Sequence, residues 1–365
     1  MMKENVASII PQVPVASRPR SDVLAPSVNP PGGLSPAQVP QFVVLACDDN
    51  PHVESMRWLL DFLKEKKNPA GSGQTATFDG VPVRTSFYSC GKYLDWEPKL
   101  QALHREAYEQ GHEIGNHSHN HPQGGDFSVA EWVSEMEACQ AAFSRAGIPP
   151  DSVHGFRTPY VEFSKHTFEA ITKLGFSYDA SLEEGAQSWV DGSNFLWPYT
   201  LDSGSPGNAF LADGGFKNPI GEYKGLWHIG NNYVIVPPDE KCEQYNCRAG
   251  LRDRVYAAIK KTGSWEWDKN SGKLAGFDYN MWVMAEMSPA ESLATLKYTL
   301  DLRLNGNRAP FLFGAHVECN PDTEPGKRES LEAFVDYALE KEDVRFVPAF
   351  RIVEWVRDPH PLLIN

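Results

Sequence analysis

Apolar positions along the chain alternate between two textures. Short runs rich in β-branched and aromatic residues are each followed by a longer stretch with helical spacing. QFVVLA (41–46) leads into PHVESMRWLLDFLKEKK (51–67), and VRTSFYS (83–89) into KLQALHREAYEQ (99–110). GHEIGNHS (111–118) precedes SVAEWVSEMEACQAAFSRAG (128–147), where Ser128 reads as N-cap, Glu131 completes a capping box and Gly147 stops the helix. SVHGFR (152–157) precedes SKHTFEAITKLG (164–175), another Ser-started, Gly-ended helix. GFSYDAS, NNYVIVP, PFLFGAH and VRFVPAF supply further strands, with SPAESLATLKYTLDLRL and KRESLEAFVDYALEK as intervening helices.

Strand–helix alternation sustained over so long a stretch implies right-handed crossovers and a parallel sheet, open or closed into a barrel, of the α/β class. Residues 1–40 read as a tail or linker, because the stretch from residue 11 is rich in Pro, Ser, Val and Gly without an amphipathic period. Residues 41–365 form the single domain. Two long irregular stretches interrupt it. Residues 183–226 carry Trp189, Trp197 and Tyr199; residues 237–283 carry Trp265, Trp267, Tyr279 and Trp282. So much aromatic surface favours ordered loops.

Charge narrows the partners. Asp and Glu total 48 against 34 Lys and Arg in 365 residues, a formal net charge of −14. That field repels nucleic acid and anionic membrane surfaces, and no apolar run is long enough to span a bilayer. The N-terminus lacks the continuous apolar stretch of a secretory signal. Among Cys47, Cys90, Cys139, Cys242, Cys247 and Cys319, only Cys242 and Cys247 are close enough in sequence to suggest a local bridge, two unpaired thiols being the alternative. No C-x2-C zinc spacing occurs.

In α/β folds chemistry sits at the C-terminal ends of strands, and four strands end in polar clusters. VVLACDDN runs into Asp48 and Asp49. Two adjacent carboxylates repel unless a cation or proton lies between them, although Asp-Asp-Asn-Pro is also good turn chemistry. In GNHSHNHPQ, His117 and His121 are four apart, so one turn puts both imidazoles on one side, with His119 pointing elsewhere. An aspartate and two histidines make a zinc ligand set with open positions. Asn116-His117-Ser118 matches the glycosylation sequon, but a sugar there would block the same pocket. HGFRTPY places Arg157 where it can pair with a carboxylate, catalytically or as a structural ion pair. PFLFGAH ends in His316, a catalyst or a structural hydrogen-bonder.

These motifs, over residues 41 to about 357, resemble the NodB-type polysaccharide deacetylases, the family 4 carbohydrate esterases. Ala46-Cys47-Asp48-Asp49 stands where that family has T-F-D-D. His117–His121 matches H-S/T-x-x-H, Arg157-Thr158-Pro159-Tyr160 matches R-x-P-Y, and His316 stands where the last motif ends. LWPYT (196–200), NRAP (307–310) and the Cys242/Cys247 loop look most like the animal (insect) chitin deacetylases. The family's fourth motif, with its tethering Asp and pocket Trp, is not recognisable.

The resemblance implies a distorted (β/α) barrel of about seven or eight parallel strands with long inserted loops. It implies Asp49, His117 and His121 as ligands of a divalent metal, zinc by default, with cobalt or nickel also suited. It implies Asp48 as general base, Arg157 as its orienter, the Tyr160 N–H in an oxyanion hole and His316 as general acid. Trp227 is the candidate pocket wall, and Trp197, with the loop tryptophans, a sugar-stacking surface. The expected activity is removal of N-acetyl groups from a glycan containing N-acetylglucosamine, chitin or a similar polymer, which suggests a site of action outside the cytoplasm. A weakly active glycan-binding matrix protein and a hydrolase of small non-sugar amides are the alternatives. No Gly-rich phosphate loop is present to support a phosphate-handling enzyme.

Overall fold

Gln41–Asp49 forms strand β1, and eight of its nine residues are buried. A strand covered on both faces reads as an unbroken apolar run. Val43, Leu45 and Cys47 face an outer core shared with helices, whereas Phe42, Val44 and Ala46 face a second core inside the sheet's curl. The structure, a computed structural model, describes residues 23–263, 265–317 and 326–363.

The remaining strands of the main sheet are β2 Ser86–Ser89, β3 Glu113–Asn116, β4 Gly155–Phe156, β5 Tyr178–Asp179, β6 Tyr199–Thr200, β7 Trp227–His228, β8 Phe311–His316 and β9 Val344–Phe346. Their order is β8-β1-β2-β3-β4-β5-β7-β6, with β9 pairing the first residues of β1. Every pair is parallel except β6 with β7. The result is a curled half-barrel of eight parallel strands and one antiparallel edge, in keeping with the distorted barrel expected. Helices α1 Val53–Leu63, α2 Pro98–Glu109, α3 Val129–Arg145, α4 Lys165–Leu174, α5 Pro289–Leu304 and α6 Lys327–Leu339 contribute apolar residues to the outer core.

Local signals are largely obeyed. Ser128 Oγ accepts from the Glu131 N–H, and the Glu131 carboxylate accepts from the Ser128 N–H at 2.8 Å. Gly175 ends α4 at φ 76°, a left-handed conformation that glycine adopts without strain. NNYVIVP departs from expectation. It pairs in two small side ladders, with residues 183–184 and 273–274, and the barrel strand is the short Trp227–His228. Two residues are too few to carry a period that a sequence pattern reveals.

Helix α7, Ala349–Arg357, fills the end of the curl where the strands begin. Ser86 Oγ accepts from its Ala349 N–H, and the buried Glu113 carboxylate accepts from its Phe350 N–H. Both acceptors lie at strand starts and satisfy the helix's orphan donors. Residues 23–40 hold two short 3-10 turns, Pro31–Gly33 and Pro36–Gln38, and Leu24 N–H donates to Thr200 Oγ1, the Trp197 N–H to Ser27 O and Asn307 Nδ2 to Val28 O. Such backbone bonding docks the segment on the domain. Residues 1–22 of that tail lie outside the described residues.

Trp355 on α7 lies edge-on to Phe42 at 5.1 Å and stacks on Trp197 at 6.0 Å. Trp355→Ala is expected to cost about 3–5 kcal/mol of stability in urea unfolding. A loss below about 1 kcal/mol would show that α7 does not seal the inner core.

Candidate active site

β1 pairs with β8 so that Asp48 lies opposite His316, and with β2 so that Asp48 lies opposite Tyr88. The backbone then turns sharply. Asp49, Asn50, Ser118, His121, Tyr160 and Val161 all have φ between 54° and 65°, which costs non-glycine residues energy. Such positions cluster here because the turns aim several side chains into one space. Asn50 fastens the first turn, its Nδ2 donating to Cys47 O and Ser89 Oγ.

Asp49 Oδ1 lies 3.3 Å from His117 Nε2 and 3.0 Å from His121 Nε2. His117 Nδ1 is 2.9 Å from the carbonyl oxygen of Arg157. A carbonyl only accepts, so Nδ1 carries the hydrogen and Nε2 turns a lone pair towards Asp49. Two electron-rich atoms this close repel unless a cation lies between them. One oxygen and two imidazole nitrogens suit a divalent ion with open positions, so the residues fit the metal that the motifs imply.

Cys90, just past the end of β2, is a fourth member that sequence reasoning passed over. One donor atom from each of Asp49, Cys90, His117 and His121 lies within 4.8 Å of the others. Its Sγ is 3.6 Å from Asp49 Oδ1. Burial and the Asp49 charge push the thiol's pKa well up, so it faces the carboxylate as a neutral S–H donor. The signal was available: Cys90 follows a strand end, as the recognised motifs do.

Asp48 is buried, and its Oδ1 accepts from Arg157 Nη1 at 2.7 Å. Arg157 is itself fully buried, donates through Nε to Ala180 O and lies over the Tyr88 ring at 4.4 Å. Burial works against its charge, but Asp48, together with Tyr88 and Tyr178, offsets this and its pKa is raised.

His316 Nδ1 is 2.8 Å from Asp278 Oδ1, and its backbone N–H donates to Asp278 Oδ2 at 2.7 Å. Asp278 is the tethering acid that the sequence did not yield. It lies in the second long loop, just before a π-helical turn at Asn280–Met284. Burial disfavours the imidazolium, but Asp278, with smaller help from Asp48 and Asp49, raises the His316 pKa to about 10.

The other expected positions divide. Tyr160 is 58 % exposed, with its ring 4.5 Å from that of His121. Trp197 and Trp227 do not line an open pocket: they are 2 % and 5 % exposed and belong to the inner core. Their bulk fills the barrel interior, which an aromatic count along the sequence does not reveal. Trp189, Phe210 and Phe216 in the first long loop and Tyr279 in the second are exposed. Asn116 is buried, donating to Met136 O and accepting from the Ser118 N–H, so the sequon is closed to a sugar. Cys242 and Cys247 stand as hydrogen-bonded thiols, without the local bridge. Cys319 lies outside the described residues. Among the described residues no helix is long and apolar enough to cross a membrane.

The fold and these motifs are similar to those of the polysaccharide deacetylases, a class of hydrolases. Residues 36–178 match the sequence pattern of the family described as Polysaccharide deacetylase. Chitin deacetylase 8 of Bombyx mori is 24 % identical over 347 residues, 93 % of this chain and 77 % of that protein. Chitin deacetylase 1 of Bombyx mori is 24 % identical over 346 residues, 90 % of this chain but only 53 % of that protein. In three dimensions the chain is similar to a Mycobacterium smegmatis protein assigned as a polysaccharide deacetylase, at a TM-score of 0.55 and 15 % identity, covering 94 % of this chain and 98 % of that one. That likeness carries the fold.

The His316–Asp278 pair sets a pH dependence of stability. A histidine whose folded pKa lies above its ordinary 6.5 contributes stability that is complete below 6.5 and lost as the pH rises towards about 10. The stability gap between wild type and Asp278→Asn, followed by thermal unfolding, is therefore expected to narrow across that window. A gap constant with pH would count against the ion pair.

Proposed function

We propose that the chain is a metal-dependent N-deacetylase acting on glycans that contain N-acetylglucosamine, chitin-like polymers or oligomers. One observation carries the reading. An aspartate held by a buried arginine and a histidine held by a buried aspartate lie in register on adjacent strands, beside a cluster of one carboxylate and two imidazoles. Hydrolysis of an N-acetyl amide needs an activated water, a stabilised oxyanion and a proton for a poor amine leaving group.

Asp49, His117 and His121 would hold the metal. When bound, such an ion lowers the pKa of a water and polarises a carbonyl oxygen. Zinc fits this donor set first, with cobalt and nickel as competitors. Asp48 takes the proton of the attacking water; Arg157 fixes the carboxylate's orientation. The Tyr160 N–H donates to the developing oxyanion, a contact whose loss typically costs about 2.7–4 kcal/mol. With Nδ1 engaged by Asp278, His316 delivers the proton on Nε2 to the leaving nitrogen. Its raised pKa keeps that proton in place at neutral pH.

The chitin deacetylases among the relatives support the substrate class. Exposed Tyr160 against His121, and exposed Tyr279 next in the chain to Asp278, offer flat apolar faces suited to sugar rings. The chain's net charge of −14 suits a neutral polymer whose product becomes cationic on losing acetyl groups. A glycan substrate also places the work outside the cytoplasm, at the cell envelope or beyond.

Acetate release from N-acetylglucosamine oligomers is expected to stop on adding a chelator and return with zinc. Retention of chitin without metal-dependent acetate would instead favour a binding protein, and release from small non-sugar amides alone an amidase. Asp48→Asn is expected to lower turnover by about 10²–10⁴ with metal content unchanged. Turnover within a few-fold of wild type would refute the base role.

A further inference from the structure

Lys327 opens α6 with its side chain only 3 % exposed. A buried ammonium is costly unless paired. Its Nζ lies 2.9 Å from Asp278 Oδ2, on a carboxylate that is itself 1 % exposed. Asp278 is therefore divided between two cationic groups. Oδ1 meets His316 Nδ1, while Oδ2 meets Lys327 Nζ and the His316 backbone N–H. One carboxylate thus joins the end of β8, the loop before the π-turn and the first residue of α6.

We propose that Lys327 is a positioning residue for His316, anchoring Asp278 Oδ2 so that Oδ1 stays aligned on the imidazole, and drawing on the same negative charge that holds the imidazole's proton. The proposal rests on the reading of His316 as the proton donor. Among the described residues the charges facing the imidazole include Asp278 from the loop, Asp48 and Asp49 from the end of β1, the last of them answered by the metal when it is bound, and Lys327 from α6. Arg157 stands behind Asp48 and neutralises part of its field. Asp278 retains the proton, and Lys327 loosens it by sharing that carboxylate. A lysine here keeps the aspartate ionised and aligned without letting it bind the transferable proton too tightly.

The test uses metal-loaded protein with two readouts. In Lys327→Met the alkaline limb of the kcat/KM profile is expected to move up by about one pH unit, because Asp278 then acts on His316 undivided. Lys327→Arg restores the charge and is expected to return the limb towards wild type. The His316 midpoint, read by nitrogen NMR of 15N-histidine-labelled protein and assigned by its loss in His316→Gln, is expected to move with the limb. Lys327→Gln gives the same reading if the Met chain does not fold, and in an Asp278→Asn background the substitution is expected to move nothing. An unmoved His316 midpoint, with activity lowered equally at every pH, would overturn the proposal. A moved midpoint with an unmoved rate limb would uphold Lys327 and count against His316 as the acid.

Discussion

The guanidinium of Arg157 is the constraint on which the site's geometry depends. It is fully buried, so its charge must be matched inside the protein, and Asp48 at 2.7 Å supplies the match. Its Nε is spent on Ala180 O and its face on the Tyr88 ring, leaving it little freedom to move. The same residue's carbonyl oxygen takes the His117 Nδ1 hydrogen and fixes which nitrogen faces Asp49. One residue thus orients the candidate base through its side chain and a candidate ligand through its backbone. Breaking a buried pair of this kind typically costs about 3–5 kcal/mol, because the partner charge is left stranded.

Beneath the arginine a chain of buried polar groups runs down the barrel. Tyr88 and Tyr178 hydroxyls are 2.7 Å apart, and Tyr178 donates to Glu113 Oε1 at 2.8 Å. Ser86 donates to the other Glu113 oxygen, which also accepts from the N-terminus of α7. Burial raises the Glu113 pKa, and these donors work against that rise. The network spans from the helix that fills the bottom of the curl to the floor of the site. A satisfied buried network fixes one arrangement of the side chains that share it, so the polar end is held in register by the same interior that supplies the hydrophobic stability.

The candidate acid is built on a different plan. Arg157 comes from a strand end, whereas Asp278 comes from an irregular loop and Lys327 from a helix start on the far side of residues 318–325. Loops of this length inside an α/β fold carry function when a scaffold positions them. Here the second long stretch is not irregular throughout: it holds a helix at Leu251–Thr262, buries Trp267 and Met281 in the outer core and delivers Asp278 to His316.

The alternation of apolar runs and amphipathic stretches determined the α/β class, the strand ends and the helix caps, because these follow from side-chain periodicity and from backbone donors needing local partners. The Asp-Asp, His-x3-His, Arg-x-Pro-Tyr and terminal His signatures were legible for the same reason: each is a short run at the end of a recognisable strand. Tertiary structure alone decided the rest. The Trp227–His228 strand is too short to show a period. Residues 23–40 make local turns but are docked by partners far along the chain, such as Thr200 and Asn307. Trp197 and Trp227 look like sugar platforms until the curl of the sheet buries them. Asp278 and Lys327 carry no motif, because what defines them is proximity across tens to hundreds of residues, and proximity is set by the register of β1 with its neighbours rather than by any local pattern.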